Sequence, residues 1–293
     1  MVERTDSQIY NGIIIAILLG AFVSWAGSDG GASVDGIPIF AICGAMAFAV
    51  NWLVFIPSAI AQTEKFYDLT GGITYISVTI AAVALTPELD LRGRIVGAMV
   101  VIWSARLASF LFMRISRDGK DSRFDNIKNR PPRFFLAWTL QGLWVLLTAA
   151  TAFAVITGGN SKPIGIIGYI GIAVWAAGML IEIVSDRQKS KFRSDPANKG
   201  RFITTGLWAW SRHPNYFGEI VIWIGMAIIA LPVLQGWQYV TLISPVFVTF
   251  LLTKVSGVPM LEESADERWG GEEEYEAYKR NTPVLIPRPP ASA

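Results

Sequence analysis

Residues 206–231 read GLWAWSRHPNYFGEIVIWIGMAIIAL, a polar and aromatic cluster that runs directly into an apolar segment. The polar half holds an arginine, an asparagine, a glutamate and His213, the single histidine of the protein. Polar groups at the mouth of an apolar span are unfavourable unless they are paired, because lipid offers them no partners. The stretch therefore indicates an enzyme whose site lies at the boundary between membrane and water.

The composition of the whole chain is that of a membrane protein. Its 293 residues are 52% hydrophobic and 16% charged, and the mean hydropathy is +0.43. Soluble domains carry about 25% charged residues. The net charge of +2 is too small to favour nucleic acid as a partner. One cysteine and one histidine provide no ligand pattern for a metal, so we expect no metal site.

Eight apolar segments approach the length of about 20 residues that a membrane-spanning helix needs. They cover residues 9–25, 37–57, 71–86, 95–113, 134–156, 164–185, 217–231 and 237–255. The first, third and seventh are short, so we predict an all-α membrane bundle of seven to eight transmembrane helices. Neither an internal repeat nor a Gly/Ser-rich linker divides the chain, and we predict one integral membrane domain over residues 1–293.

Basic residues concentrate in two connections between the predicted spans. Residues 114–133 and residues 186–212 each contain seven Lys or Arg, whereas residues 158–162 and 232–236 are nearly uncharged. Cytoplasmic loops carry an excess of Lys and Arg, so with eight spans both basic loops and both termini are expected in the cytoplasm. We predict a multi-pass protein of the bacterial inner membrane, with its cofactor-binding loops facing the cytoplasm.

The C-terminal segment changes character after the last apolar stretch. Residues 262–276 contain eight acidic side chains interleaved with aromatic and basic ones. Tyr275 and Tyr278 lie three residues apart and would share one face of a helix. Residues 260–280 are predicted to form a cytoplasmic amphipathic helix, which either caps the bundle or closes over a cofactor.

The second basic loop and the motif after it are the strongest candidates for binding an anionic cofactor. Arg193 can donate two hydrogen bonds to a pair of phosphate oxygens, and Lys189 can attract a phosphate as a point charge. The rings of Trp210 and Tyr216 can stack on a purine or a nicotinamide. Asn215 can donate and accept at once, which suits a carboxamide. No G-x-G-x-x-G follows a strand, so such a cofactor would bind outside a Rossmann fold.

A second polar cluster precedes the third apolar segment and contains Glu64, Tyr67, Asp68 and Tyr75. These acids and tyrosines could protonate or polarise a carbonyl group of a substrate. The alternative is structural, because acidic side chains also favour the N-terminus of a helix. Both interpretations stay open on the sequence alone.

These residues resemble the steroid 5-alpha-reductase family in its broad sense, which includes bacterial members of the DUF1295 type and the sterol reductases. The resemblance rests on Asp186 with Lys189 and Arg193, on Gly206-Leu-Trp, on SRHPNYFGE at residues 211–219, and on Tyr275-x-x-Tyr278 before Thr282-Pro283. It covers residues 175–287 well and the first half of the chain loosely.

The resemblance implies a helical bundle that holds NADPH from the cytoplasmic side. Hydride passes to a carbon–carbon double bond conjugated to a ketone in a lipophilic, lipid-like or steroid-like small molecule. The cofactor-binding residues implied by position are Asp186, Arg193, Asn215, Glu219 and Lys254. By the chemistry of their side chains, the candidate cofactor-binding residues also include Lys189, Trp210, Arg212, His213, Tyr216, Tyr275 and Tyr278.

The resemblance also implies an acid and a tyrosine beside the substrate carbonyl. Spacing places Asp68 where the acid is expected, with Tyr67 before it and Glu64 nearby. The expected tyrosine falls at Trp103, which argues against steroids specifically, and Tyr75 is the candidate replacement. A protonated Asp68 could then donate to the carbonyl oxygen as hydride arrives.

Two other classes of function stay open. The motif Arg212-His213-Pro214-x-Tyr216 and the segment GEEEY at residues 271–275 also resemble isoprenylcysteine carboxyl methyltransferases, which use S-adenosylmethionine. The cationic set at residues 186–193 favours the reductase, because it supplies more positive charge than a sulfonium cofactor needs. A channel or transporter is disfavoured, since the polar clusters do not repeat between the two halves of the chain.

Overall fold

The computed structural model describes residues 5–118 and 124–290, and within them the protein is all-α apart from one short hairpin. The first five helices are α1 (Asp6–Gly27), α2 (Ile39–Ile60), α3 (Tyr67–Leu85), α4 (Leu91–Asp118) and α5 (Pro131–Thr157). The next five are α6 (Ile166–Ser194), α7 (Pro214–Ala230), α8 (Ile243–Phe250), α9 (Val258–Trp269) and α10 (Glu273–Asn281). Part of the first basic loop lies outside the described residues.

The helices confirm an integral, multi-pass membrane protein of the all-α class. In the described part of the chain, six helical segments are long and apolar enough to cross a membrane, and α7 is a shorter apolar helix. The last predicted span, residues 237–255, is not one regular helix. It consists of a 3-10 segment (Gly236–Leu242), α8, and a π-helical turn (Leu251–Val255).

A β-hairpin joins α1 to α2, where the sequence predicted only the beginning of a span. Strands β1 (Ser33–Val34) and β2 (Ile37–Pro38) pair in antiparallel fashion. The turn residues Asp35 and Gly36 have φ angles of 51° and 79°. Tight two-residue hairpins require this left-handed backbone, and Asp-Gly is a favoured pair for it. The second span therefore begins later than predicted, at Ile39.

The chain folds into two compact units. Unit 1 comprises Met1–Gly165 and Ala230–Ser244, and unit 2 comprises Ile166–Ile229 and Pro245–Ala293. A single domain over residues 1–293 stays a prediction. In unit 2, the predicted amphipathic helix at residues 260–280 is interrupted between α9 and α10, since residues 270–272 are not helical.

Helix α5 forms the core of unit 1. Of its most apolar stretch, 89% is buried, and the helix packs against each of α1 to α4. Gly142 allows α2 to approach closely, because a Cβ atom there would lie 2.9 Å from the carbonyl oxygen of Ala47. An aromatic cluster of Tyr67, Phe134 and Trp138, all buried, packs one end of α3 against α5. This packing fixes the start of α3, which carries the predicted acid.

Candidate functional site

Glycines allow α6 and α7 to pack in unit 2 with their backbones almost in contact. A Cβ atom added at Gly178 would lie 2.7 Å from the carbonyl oxygen of Gly218. A second glycine pair makes an equally close contact nearer the N-terminus of α6, where a Cβ atom at Gly171 would lie 2.8 Å from the carbonyl oxygen of Gly225. Small residues permit such close approach between membrane helices. The contact brings the C-terminal half of α6 alongside the beginning of α7.

We expect Gly218→Ala to lower the thermal unfolding temperature of the protein. The new Cβ would lie 2.8 Å from the backbone nitrogen of Glu182 and from the carbonyl oxygen of Gly178. Overpacking of this kind typically destabilises a protein by about 1–3 kcal/mol. The control is Gly165→Ala, because a Cβ at Gly165 meets no atom within 4 Å. Equal unfolding temperatures for the two variants in detergent would contradict the close contact.

The loop between α6 and α7 is attached to the last turns of α6. Trp208 is buried, and its Nε1 donates to the carbonyl oxygen of Ser185 at 3.0 Å. The backbone nitrogen of Leu207 donates to Oε1 of Gln188 at 2.9 Å. The ammonium of Lys189 lies 4.3 Å from the ring centre of Trp208, in cation–π range. These contacts hold the loop and Lys189 in fixed positions beside the motif.

The C-terminal tail supports the motif from another direction. The backbone nitrogens of Arg212 and His213 donate to the carbonyl oxygens of Pro283 and Val284, at 2.9 Å and 3.1 Å. The tail thus pairs with the backbone of the motif and fixes the direction in which the side chains of the motif point.

Glu262 on α9 connects two side chains of the motif. Its Oε1 lies 2.7 Å from Nε2 of His213, and its Oε2 lies 2.9 Å from the guanidinium of Arg212. The buried imidazole stacks on the ring of Tyr216, with centroids 5.7 Å apart and an interplanar angle of 10°. Burial holds the pKa of His213 below its usual value, although Glu262 opposes this effect. Burial therefore favours the neutral form of the imidazole.

Asn215 links the first turn of α7 to the end of α6. Its Nδ2 donates to Oδ1 of Asp186 at 3.3 Å, which leaves its own Oδ1 as the acceptor end of the amide. That oxygen is buried and has no hydrogen-bond partner among the described residues. The same holds for Nε of Arg212 and Nδ1 of His213. Buried polar atoms are normally paired, so three such atoms within residues 212–215 make this segment a candidate ligand site.

We expect the lowered pKa of His213 to make stability depend on pH. The positive charges of Lys189 and Arg212 add to the effect of burial, and Glu262 acts against it. Below about pH 6.5 the unfolded chain binds a proton that the folded protein does not. The contribution of neutral His213 is therefore present above that pH and is lost as the pH falls towards the folded-state pKa. The thermal unfolding temperature, measured from about pH 7.5 down to about pH 5, should fall more steeply in the wild type than in His213→Gln.

The other predicted cofactor-binding residues of unit 2 differ in exposure. Trp210 is 42% exposed and offers an open ring for stacking. Arg193, in the last turn of α6, and Lys254, in the π-helical turn, are both exposed. Glu219 is half-buried on α7. The assignment of these residues to a cofactor stays a prediction.

Tyr275 and Tyr278 use their hydroxyl groups to fasten α10 within unit 2. The Tyr278 hydroxyl donates to the carbonyl oxygen of Trp208 at 2.7 Å, and the Tyr275 hydroxyl donates to Oδ1 of Asp266 at 3.0 Å. Burial raises the pKa of both phenols, so both stay neutral donors. The ring of Phe202 packs against both tyrosines, at 5.2 Å and 5.6 Å between centroids. These contacts brace the loop that carries Trp208, whatever else the tyrosines bind.

The four predicted catalytic residues separate into two groups within unit 1. Asp68 and Tyr75 line one cavity of about 120 Å³. Tyr67 is buried in the aromatic cluster, and its hydroxyl donates at 3.0 Å to a backbone carbonyl oxygen of α5. Glu64 is buried and lies 2.9 Å from the ammonium of Lys128. Of the four, Asp68 and Tyr75 are therefore the two that line this cavity, and their catalytic role stays a prediction.

Tyr75, the candidate replacement for the tyrosine expected at Trp103, contacts that tryptophan directly. Its ring packs edge-to-face on Trp103, with centroids 5.0 Å apart. Its hydroxyl lies 3.4 Å from the carbonyl oxygen of Trp144, which also lines the cavity. The tryptophan that replaces the expected tyrosine thus serves as the packing surface for a tyrosine from the neighbouring helix.

Gln141 of α5 is a cavity residue that the sequence reasoning missed. Its Nε2 donates to the backbone carbonyl oxygen of Tyr67 at 2.9 Å. A Cβ atom at Gly71 would lie 2.8 Å from that same nitrogen, so Gly71 is needed to seat α3 against Gln141. Gln141 interrupts an apolar run, and a buried amide within an apolar helix is the signal that could have identified it.

One protein family matches most of the chain. Its description is protein of unknown function (DUF1295), and the match covers residues 54–282. An uncharacterised protein of Schizosaccharomyces pombe is 25% identical over 160 residues, which are 45% of this chain and 46% of its own. No solved structure matches the chain.

Two relatives carry names that describe reactions. The 3-oxo-5-alpha-steroid 4-dehydrogenase 1 of Rattus norvegicus is 30% identical over 117 residues, 40% of each chain. The protein named "Probable O-methyltransferase ustE" of Ustilaginoidea virens is 27% identical over 141 residues, 45% of this chain and 48% of its own. The chain spans less than half the length of these relatives.

Proposed function

The chain belongs to the DUF1295 family, and from this membership and the geometry of its two units we propose that it is an NADPH-dependent membrane reductase. Its substrate is a lipophilic small molecule with a carbon–carbon double bond conjugated to a carbonyl group. The proposal assigns nucleotide binding to unit 2 and substrate binding to the cavity of unit 1.

The observation that carries this proposal is the set of buried polar atoms without partners at Arg212, His213 and Asn215. The set contains both donor and acceptor atoms, so it suits a ligand that also presents both. A dinucleotide does so, because its phosphates accept hydrogen bonds while its hydroxyl and carboxamide groups also donate them. An ionised phosphodiester alone, which carries only acceptor oxygens, would leave the acceptor oxygen of Asn215 unpaired.

Cations at the end of α6 add the charge that a dinucleotide needs. Lys191 and Arg193 lie in the last turn of the helix, and Lys189 is held against Trp208 one turn earlier. Arginine and lysine there can neutralise a diphosphate and a further phosphate group. This surplus of positive charge favours NADPH over NADH and over a sulfonium cofactor.

The cavity of unit 1 supplies the groups that act on the carbonyl. NADPH, when bound, supplies the hydride that reaches the β-carbon. Negative charge then develops on the carbonyl oxygen, and a hydrogen bond from the Tyr75 hydroxyl or from a protonated Asp68 stabilises it. A proton taken from water at the α-carbon would complete the saturated ketone, and the hydride donor would be left as NADP⁺. The cavity volume of about 120 Å³ suits the carbonyl end of a substrate better than an entire lipid.

Similarity to 3-oxo-5-alpha-steroid 4-dehydrogenase 1 supports the same class of reaction. The name of that protein describes dehydrogenation at position 4 of a 3-oxo steroid, and we propose that Asp68 polarises a carbonyl group placed in the same way beside the reacting carbons. We also propose that the basic loops place the nucleotide site in the cytoplasm of a bacterium, with the helices in the inner membrane.

Transfer of deuterium tests the reaction directly. The detergent-purified protein is incubated with NADPH deuterated at C4 and with a panel of lipophilic enones, both steroid and non-steroid. Mass spectrometry should find a saturated ketone that carries deuterium at the former β-carbon. Consumption of NADPH without deuterium in any ketone would contradict the proposal.

An S-adenosylmethionine-dependent methyltransferase is the second candidate. It is supported by the similarity to the protein named "Probable O-methyltransferase ustE". Methyl transfer needs no hydrogen-bond donor at a carbonyl, so the cavity with Asp68 and Tyr75 would have no role in it. The two candidates therefore differ in the cofactor that stabilises the protein and in the importance of Asp68.

A further inference from the structure

Resting on the nucleotide site proposed above, we propose that His213 is a hydrogen-bond acceptor for an O–H or N–H group of the bound nucleotide. Glu262 is the positioning residue that holds His213 in this form. The two side chains and Arg212 make one row, with 2.9 Å between Arg212 and Glu262 and 2.7 Å between Glu262 and His213.

The tautomer of His213 follows from the groups in this row. A guanidinium can only donate, and an ionised carboxylate can only accept. Glu262 therefore accepts from Arg212 through one oxygen and from Nε2 of His213 through the other. Nε2 must carry the imidazole hydrogen, so the lone pair of the neutral ring is on Nδ1.

The surroundings of Nδ1 define the group that it can bind. The atom is buried and has no hydrogen-bond partner among residues 5–118 and 124–290. Tyr216 stacks on the face of the imidazole, whereas the lone pair of Nδ1 lies in the plane of the ring. An ionised phosphodiester presents only acceptor oxygens, and such an oxygen would face another acceptor at Nδ1. A ribose hydroxyl or the carboxamide N–H of a nicotinamide can donate to it.

Glu262→Gln should reverse the tautomer of His213, although the substituted side chain keeps almost the same shape. Glutamine offers one acceptor oxygen and one donor amide, and Arg212 can pair only with the oxygen. The amide nitrogen then faces His213, so Nε2 must accept and the hydrogen moves to Nδ1. The nucleotide would lose its acceptor and meet a donor instead. We expect the affinity for NADP⁺ to fall by about 10- to 100-fold.

The single histidine makes this experiment direct, because protein labelled with ¹⁵N in histidine gives one pair of imidazole signals. The wild type should show hydrogen on Nε2, and NADP⁺ should shift the signal of the unprotonated Nδ1. Glu262→Gln should show hydrogen on Nδ1 together with weaker binding. The matched control is Glu263→Gln, which removes the same charge at the neighbouring exposed position and should behave as the wild type.

The outcomes distinguish the two proposals. Hydrogen on Nδ1 in the NADP⁺-bound wild type, or full affinity in Glu262→Gln with a reversed tautomer, overturns the acceptor role but leaves the nucleotide site. Failure of NADP⁺ to bind the wild type overturns the nucleotide site and the acceptor role with it. If Glu262→Gln does not fold, His213→Gln provides a second test. The glutamine amide takes roughly the position of Nε2, but no atom replaces Nδ1. Unchanged affinity for NADP⁺ in that variant overturns the proposal.

Discussion

Replacing Asp68 by alanine should lower the turnover number by about 100- to 1,000-fold, while the affinity for NADPH stays at the wild-type value. Asp68 lines the cavity of unit 1, and the polar atoms assigned to the nucleotide belong to unit 2. A donor at the carbonyl oxygen matters most when charge develops there, so its removal affects the transition state more than the ground state.

The measurement is steady-state turnover together with NADPH binding for Asp68→Ala and Asp68→Asn. Asparagine keeps a hydrogen-bond donor at nearly the same position, so it should recover part of the lost turnover. Tyr75→Phe should reduce turnover less, because it removes a hydroxyl from the same cavity but leaves the acid. Equal losses of turnover and NADPH affinity in Asp68→Ala would place Asp68 in the nucleotide site instead.

Asn215→Ala should weaken NADPH binding by about 10- to 100-fold without a loss of folded protein. The variant removes both the hydrogen bond to Asp186 and the buried acceptor oxygen that has no protein partner among the described residues. Asn215→Asp should bind more weakly still, because it places a second carboxylate within 3.3 Å of Asp186.

Isothermal titration of the purified variants with NADPH measures this effect, and thermal unfolding without nucleotide checks the fold. Asn281→Ala is the matched control, since Asn281 is an exposed residue at the end of α10. Arg193→Ala should also weaken binding, by loss of a phosphate contact. Wild-type affinity in both Asn215→Ala and Arg193→Ala would refute the proposed site.

The sequence predicts the motif of unit 2 well, because its parts are close together in the chain. Arg212, His213 and Asn215 lie within one turn of the start of α7, and the apolar run after them identifies the helix. The partner Glu262 could not be selected from sequence. It is one of eight acidic residues in residues 262–276, and only the packing of α9 shows which of them meets the motif.

The substrate end is harder to predict for a similar reason. Tyr67 and Asp68 are adjacent in sequence, but adjacent residues of a helix point about 100° apart. One therefore packs into the aromatic cluster and the other lines the cavity. Gln141 reaches the cavity from another helix, and no local pattern connects residues so far apart. The resemblance points to Asp68 as the acid, and tertiary packing decides which residues line the cavity with it.

Binding of NADPH, NADH and S-adenosylmethionine to the detergent-purified wild type, compared side by side by thermal shift, tests the central claim most directly. A ligand that binds only the folded state raises the unfolding temperature. We predict stabilisation by NADPH, less by NADH, and none by S-adenosylmethionine. Stabilisation by S-adenosylmethionine with no effect of NADPH would contradict a reductase, favour a membrane methyltransferase, and remove the role proposed for Asp68.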